Sequence, residues 1–359
     1  MNVKIGKTEA ILLILIVMIN KILLNIPKEI IRQSQTGAPI NLIYTTILAI
    51  LITLLICKLF KKFPNEDIIE ISEYIGKKPL KILVGSLFIL LFTIIIITVI
   101  YEFSNLLQLI YFPNTPQYLI FLIFLSCMGV ANKIGFKAIV KTNSVIIPII
   151  LLSLIIIFFG TFEDLNFTRL NPILGTNIKN TFLKGSLNIF GYGGLLYLFF
   201  ILPFLKNKNE FKKIALTSII ISGLFLIFTT IILLSIFPFI INSEEIMSMY
   251  LLTRSIELGK FLQRTDAIFI FLWIISSFSY LSISLMFINN IFAKLTNCTK
   301  SHNYSFSFLS LFFALLVLFQ NQSLFKYLET TFYKYFVLAL LVLCLIILII
   351  GYFKRKEPL

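Results

Sequence analysis

The residues best equipped for chemistry lie near the amino terminus, in the run Ile19-Asn20-Lys21-Ile22-Leu23-Leu24-Asn25-Ile26-Pro27. Lys21 stands inside the first apolar stretch long enough to cross a bilayer, at about residues 8–34. At ~1.5 Å of rise per helical residue it falls beyond the bilayer midplane but short of the far surface. A lysine at that depth is costly unless it is paired or faces a wet cavity, so Lys21 is a candidate functional group. The competing reading is a lysine that snorkels from a helix end to the headgroups. Asn20, Asn25 and Pro27 predict that the helix breaks around Lys21, freeing backbone groups to meet a ligand.

Three further places carry polar chemistry at membrane depth. Glu102, with Tyr101 beside it, lies in the outer half of the third apolar stretch, and a Lys21–Glu102 pair would neutralise both charges. If that span ends early, Glu102 is interfacial instead. Phe190-Gly191-Tyr192-Gly193-Gly194 interrupts the sixth stretch, although glycines in membrane helices also serve close packing. The eighth holds Ser276, Ser277, Ser279 and Tyr280, suited to a ligand or ion, or to bonding back to their own helix. The candidate ligand-binding set is therefore Asn20, Lys21, Asn25, Tyr101, Glu102, Gly191, Tyr192, Gly193, Gly194, Ser276, Ser277 and Tyr280. Cys57, Cys127, Cys298 and Cys344 have no metal or redox spacing, and the one histidine, His302, has no partner cluster. No phosphate loop, catalytic carboxylate pair or nucleophile elbow is present. The reading is of a chain with no enzymatic role, cofactor or metal.

The elements that must position these residues are membrane helices. The chain has 359 residues, 58% of them hydrophobic and 13% charged, with mean hydropathy +0.99. Such a balance implies a multi-span, all-α membrane protein, read as one polytopic domain over 1–359. The net charge of +15 sits in short clusters between apolar runs, so it reflects topology and contact with lipid headgroups, not nucleic acid. Ten spans are expected, at about 8–34, 41–60, 80–111, 116–132, 138–160, 185–205, 213–238, 266–294, 304–322 and 332–353. Alternating loops hold 20 and 10 of the 31 Lys and Arg residues, which predicts both termini in the cytoplasm. Lys4 and Lys7 precede the first span without a cleavage site, so that span is read as retained. Residues 61–79 read as an amphipathic helix on the cytoplasmic surface, 239–265 as an external helix and 161–185 as an external segment.

Spans 1–5 (about 8–160) and 6–10 (about 185–353) form two comparable halves, each opening with an interrupted helix. Matched breaks point to a mid-membrane binding site. Five plus five spans with broken helices 1 and 6 is the inverted-repeat, LeuT-like arrangement of the amino-acid/polyamine/cation transporter fold. Freed N–H groups at half-helix N-termini hold an anionic group there, such as an amino-acid carboxylate, and Lys21 would stand beside it.

Four segments then resemble one family, the permease-like B subunits of bacterial spore germinant receptors. They are Phe63-Pro64 with the following Tyr74-Ile75-Gly76-Lys77, Leu170-Asn171-Pro172-Ile173-Leu174, Phe199-Phe200-Ile201-Leu202-Pro203-Phe204-Leu205 before Lys206-Asn207-Lys208, and Arg264-Thr265-Asp266-Ala267-Ile268-Phe269-Ile270-Phe271-Leu272-Trp273-Ile274. The resemblance implies a nutrient-sensing subunit in the inner spore membrane, partnered by a larger A subunit and a lipoprotein C subunit. Its small ligand would be an amino acid. Two departures fall on the expected pocket: family members often carry an acid where Gly194 stands, and a glycine-rich, uncharged break where Asn20 and Lys21 stand. A secondary amino-acid transporter would share the same pocket, and a purely structural subunit would have lost it. The apolar run Ile11 to Ile19 below Lys21 offers no polar path, which favours the sensor.

Overall fold

A helix that is apolar on every face belongs at the centre of a bundle. Helix α1 (Lys7–Leu24) meets that description over its middle: Leu13 through Asn20 are each at most 2% exposed. The structure is a computed structural model describing residues 4–24, 26–175, 177–238, 248–254, 265–297 and 304–355. Around α1 stand α2 (Ile26–Ser34), α3 (Ala38–Phe60), α4 (Ile68–Ile110), α5 (Gln117–Ile134) and α6 (Phe136–Gly160). The second half comprises α7 (Ile178–Phe182), a 3₁₀ segment (Lys184–Tyr192), α8 (Leu195–Ile201), α9 (Phe211–Ile236), α10 (Ser248–Arg254) and α11 (Thr265–Thr296). It closes with α12 (Ser305–Leu318), α13 (Gln322–Tyr327), a π-turn (Leu328–Phe332) and α14 (Tyr333–Lys354).

Eight helical segments among the described residues are long and apolar enough to cross a bilayer. The other two expected spans are occupied by α1, which carries three charges, and by the 14-residue α12. The chain is a multi-pass membrane protein. Burial sorts the spans: 89% of the apolar window of Ile178–Phe204 is buried and 67% of that of Asp266–Thr296, against 28% for Phe136–Gly160. In α4, Ile94 to Tyr101 are buried on every face. Spans 1, 3, 6 and 8 are therefore the inner four, and α1 packs on α6, α9 and α11.

The first break differs from the sequence expectation. Helix α1 runs through Asn20 and Lys21 to Leu24, and α2 starts at Ile26. Asn20 turns its amide outward to another helix instead of competing for its own backbone, so it does not end the helix. Pro27, lacking an N–H and clashing with the preceding turn, sets the interruption a turn later. Asn25 lies outside the described residues, as do Cys298 and His302. Of the expected 239–265 helix, only Ser248–Arg254 falls within them as a helix. The second break lies as expected: the 3₁₀ segment stops at Tyr192, and α8 begins after Gly193 and Gly194.

One end of the bundle is basic and tightly tied. Ile5 N–H donates to Phe204 O at 2.8 Å and Lys206 N–H to Ile5 O at 3.0 Å, so the amino terminus bridges to the end of span 6. Lys4 Nζ adds a bond to Pro203 O. Nearby, Asp67 caps α4 by accepting from the N–H groups of Ile69 and Glu70, while Glu70 reciprocates on Asp67 N–H. The amphipathic start of α4 packs its isoleucines inward, then kinks at Gly76 and Lys77 (φ +54°) into span 3. Gly76 is required there because a Cβ would stand 2.5 Å from Leu80. Lys294, at the end of α11, pairs with Asp67 at 2.5 Å and Glu70 at 2.8 Å. Arg355 bonds Glu66 and covers the Phe63 ring. The opposite end is held by Asn41, whose amide donates to Thr181 O and accepts from Asn188.

Asp67 is 1% exposed, and removing one partner of a buried pair leaves the other uncompensated. Asp67→Ala loses the cap as well as the pair and should destabilise the detergent-solubilised protein by about 3 kcal/mol. Asp67→Asn keeps a capping acceptor, and its melting temperature should fall between those of the native protein and Asp67→Ala.

Candidate functional site

The Lys21 side chain leaves the last turn of α1 at 6% exposure, and its ammonium lies 4.5 Å from the centre of the Tyr333 ring. A desolvated ammonium over an aromatic face gains about 2 kcal/mol, which offsets part of its burial cost. Carboxylates add attraction without cancelling the burial cost, Glu329 more strongly than Glu102. The expected Lys21–Glu102 partnership is therefore shared with a residue of span 10.

Lys21 forms one wall of a narrow cleft. Ile26 and Glu29 of α2 form a second wall, Phe190 of the 3₁₀ segment a third, and Glu329, Thr330 and Tyr333 the fourth. Both breaks and the π-turn thus border one space, and π-turns recur at functional sites. Lys334 flanks it, donating to Gln33 Oε1 at 2.8 Å with its ammonium 5.3 Å from the Phe190 ring.

Glycine is what lets span 6 approach. A Cβ on Gly193 would collide with the Tyr333 hydroxyl, and one on Gly194 would lie 2.6 Å from Met18. Gly191 faces Ile26, where a Cβ would stand at 3.1 Å. The three positions read from the sequence therefore pack spans 1, 6 and 10 around the cleft.

Behind Lys21, Asn20 Nδ2 donates to both Ser276 Oγ and Ser277 Oγ at 2.7 Å, tying α1 to α11. Asn20 Oδ1 is buried without a hydrogen-bond partner among the described residues. The other expected residues go elsewhere. Tyr192 bonds Thr46 of span 2, Tyr101 stacks on Phe325 at 3.9 Å, and Tyr280 neighbours Tyr197, whose hydroxyl meets Ser284 at 2.8 Å. Sequence reasoning missed Glu29, Phe190, Glu329, Thr330 and Tyr333. A carboxylate and a tyrosine four residues apart at the mouth of span 10 place both on one helix face, which was the available signal.

The family described as spore germination protein (spore permease) matches residues 4–325. The spore germination protein YndE of Bacillus subtilis is 23% identical over 284 residues, 77% of this chain and 77% of that protein. Spore germination protein XB of Bacillus anthracis is 21% identical over 205 residues, 56% of this chain and 57% of that one. Among solved structures, a Na⁺-coupled sialic acid symporter in a substrate-bound outward-open state superposes with a TM-score of 0.60 at 14% identity, over 97% of this chain and 79% of that one. The Eremococcus coleocola manganese transporter gives 0.58 at 11% identity, over 97% and 79%. The fold is the LeuT-like transporter fold, with broken helices 1 and 6.

The close approach of Gly193 to Tyr333 yields a direct test. Gly193→Ala should cost about 1–3 kcal/mol through overpacking. Adding Tyr333→Phe, which removes the colliding hydroxyl, should recover most of that loss in a double-mutant cycle of thermal melts.

Proposed function

This chain belongs to the spore germination protein family, and we propose that it is the nutrient-sensing membrane subunit of a spore germinant receptor. Its ligand is a small nutrient, an amino acid, received in the cleft between the two helix breaks and span 10. The observation that carries this reading is the Lys21 ammonium, buried over Tyr333 and bordering that cleft. No structural role explains its cost as well, since a methionine would fill the same space without desolvating a charge.

The same site in a carrier would open to both sides in turn. Here the path from Lys21 to the basic end is the fully buried apolar run Leu13 to Ile19, closed by the Ile5–Leu205 bridge. The unbroken apolar run supports the sensor, while closure at one end is shared with a carrier that faces the other side. Secondary transport of an amino acid is the second reading, favoured by the transporter neighbours that share the fold over nearly the whole chain.

In the sensor reading the basic end, with both termini, faces the cytoplasm, and the protein sits in the inner spore membrane with A and C subunits. Ligand binding favours one arrangement of the bundle, and the A subunit reads the change. Converting a 1:99 population to 99:1 takes ~5.5 kcal/mol of differential binding, a sum that charge contacts in a small cleft and subunit contacts supply together.

Spores in which Lys21→Met replaces the native chain should lose germination to one nutrient class, scored by loss of refractility, with receptor levels unchanged by immunoblot. An intact response across the nutrient panel would reject the sensing role of Lys21. Amino-acid uptake by growing cells that depends on this chain would favour the carrier.

A further inference from the structure

Helix α6 has two contrasting faces. Ile139, Asn143, Ile147, Ile150 and Leu154 are buried, and the helix packs on α1 and α11. The other face reads Lys137, Lys141, Val145, Ile149, Leu152 and Ile156, at steps of four or three residues, so all six lie along one line. All six are exposed, the four apolar ones by 49% to 64%. On a helix long enough to span a bilayer, apolar side chains without protein neighbours face acyl chains.

Depth places the lysines. From Lys141 to Gly160 the helix measures about 30 Å, the thickness of the hydrocarbon, and Glu163 and Asp164 follow at the far end. Lys141 therefore lies at the hydrocarbon edge, with Lys137 about 6 Å further out at headgroup level. Lys133 joins them from the last turn of α5. None of the three forms an ion pair among the described residues. The two helices meet at Gly135, with φ +110° and no atom within 4 Å of where a Cβ would stand. No packing closes this joint on the glycine side, and lysines stand two residues before it and two after.

We propose that this corner binds an acidic phospholipid, its phosphate held by Lys133, Lys137 and Lys141 and an acyl chain laid along Val145, Ile149, Leu152 and Ile156. The headgroup then ties α5 to α6 across Gly135. Three uncompensated ammonium groups select an anionic headgroup, because a zwitterionic one brings its own cation into competition with them. A partner's membrane helix fits the line less well, since it offers no glycine, alanine or serine to admit a second backbone. The site lies apart from the cleft at Lys21 and stands whether the chain senses or carries.

Native mass spectrometry of the purified full-length protein, with phosphatidylglycerol and phosphatidylcholine of matched chains in competition, reads the relative affinities. At about 5-fold per lysine, the native protein should prefer phosphatidylglycerol on the order of 100-fold, and Lys137→Gln/Lys141→Gln should keep a preference of only about 5-fold. Lys212→Gln/Lys213→Gln removes two exposed lysines from α9 at the same end of the bundle, where Phe136 meets Phe204, and should leave the preference unchanged. Equal losses in the two variants would overturn the site, because basic charge in general would then account for the binding. Equal affinity of the native protein for the two lipids would also overturn it and leave the apolar line of α6 to a partner helix. Raising ammonium acetate should shrink the native preference through screening. That check needs no variant, and a preference indifferent to salt would rule out the lysines as its source.

Discussion

An ammonium group inside close-packed apolar helices has to be compensated, and the arrangement of this bundle follows from how Lys21 is held. Its helix is buried all round from Leu13 to Asn20, so the lysine leaves a stretch with no direct route to solvent. Compensation must come from neighbours: the face of Tyr333 below it, Glu329 and Glu102 beside it. Bringing Tyr333 that close requires span 6 to give way, which Gly193 does. The break in span 1 then comes after Lys21, where Pro27 stops the helix, so the lysine sits at the lip of the first interruption rather than within it.

Span 10 links this site to the far end of the protein. Its π-turn lines the cleft, and its last residues are clasped at the basic end, where Lys62 bonds the carbonyls of Tyr352 and Arg355, and Lys354 reaches the carbonyls of Tyr74 and Ile75. The amphipathic start of α4 at that end is fixed in turn to α11 through the Asp67–Lys294 pair. A displacement of span 10 would thus be felt at a surface that soluble or membrane partners can touch, the physical requirement for reading out a ligand without moving it across the membrane.

The fold was legible because its signals are long-range averages: apolar runs of spanning length, loop charge and two glycine- or proline-marked breaks. The site was legible in part. Lys21, Asn20, Ser276, Ser277 and the span 6 glycines were singled out because polar or glycine residues inside apolar runs are conspicuous. Tyr101, Tyr192 and Tyr280 satisfied the same criterion, yet they pack on Phe325, Thr46 and Tyr197. Periodicity says which residues face inward, not which neighbour they meet. Glu29 and Glu329 escaped notice because they lie at helix mouths, where charge is expected for topology alone. The family-bearing segments settle at joints: Phe63 under Arg355, Pro203 at the amino-terminal bridge, Trp273 with its ring 3.9 Å from that of Phe103. Likeness to the family therefore fixes the frame, while residues outside those segments shape the cleft.

In a sensor of this kind, ligand closes the cleft while the basic end stays sealed. Pulsed electron–electron resonance on spin-labelled protein in nanodiscs tests that most directly, with one label pair at Arg32 on α2 and Gln322 at the start of α13, and another at Lys7 and Asn207 across the amino-terminal bridge. A bound amino acid is expected to narrow and shift the first distance distribution and to leave the second unchanged. A ligand-dependent lengthening of the Lys7–Asn207 distance would contradict the sensor, because a basic end that opens on binding belongs to a carrier.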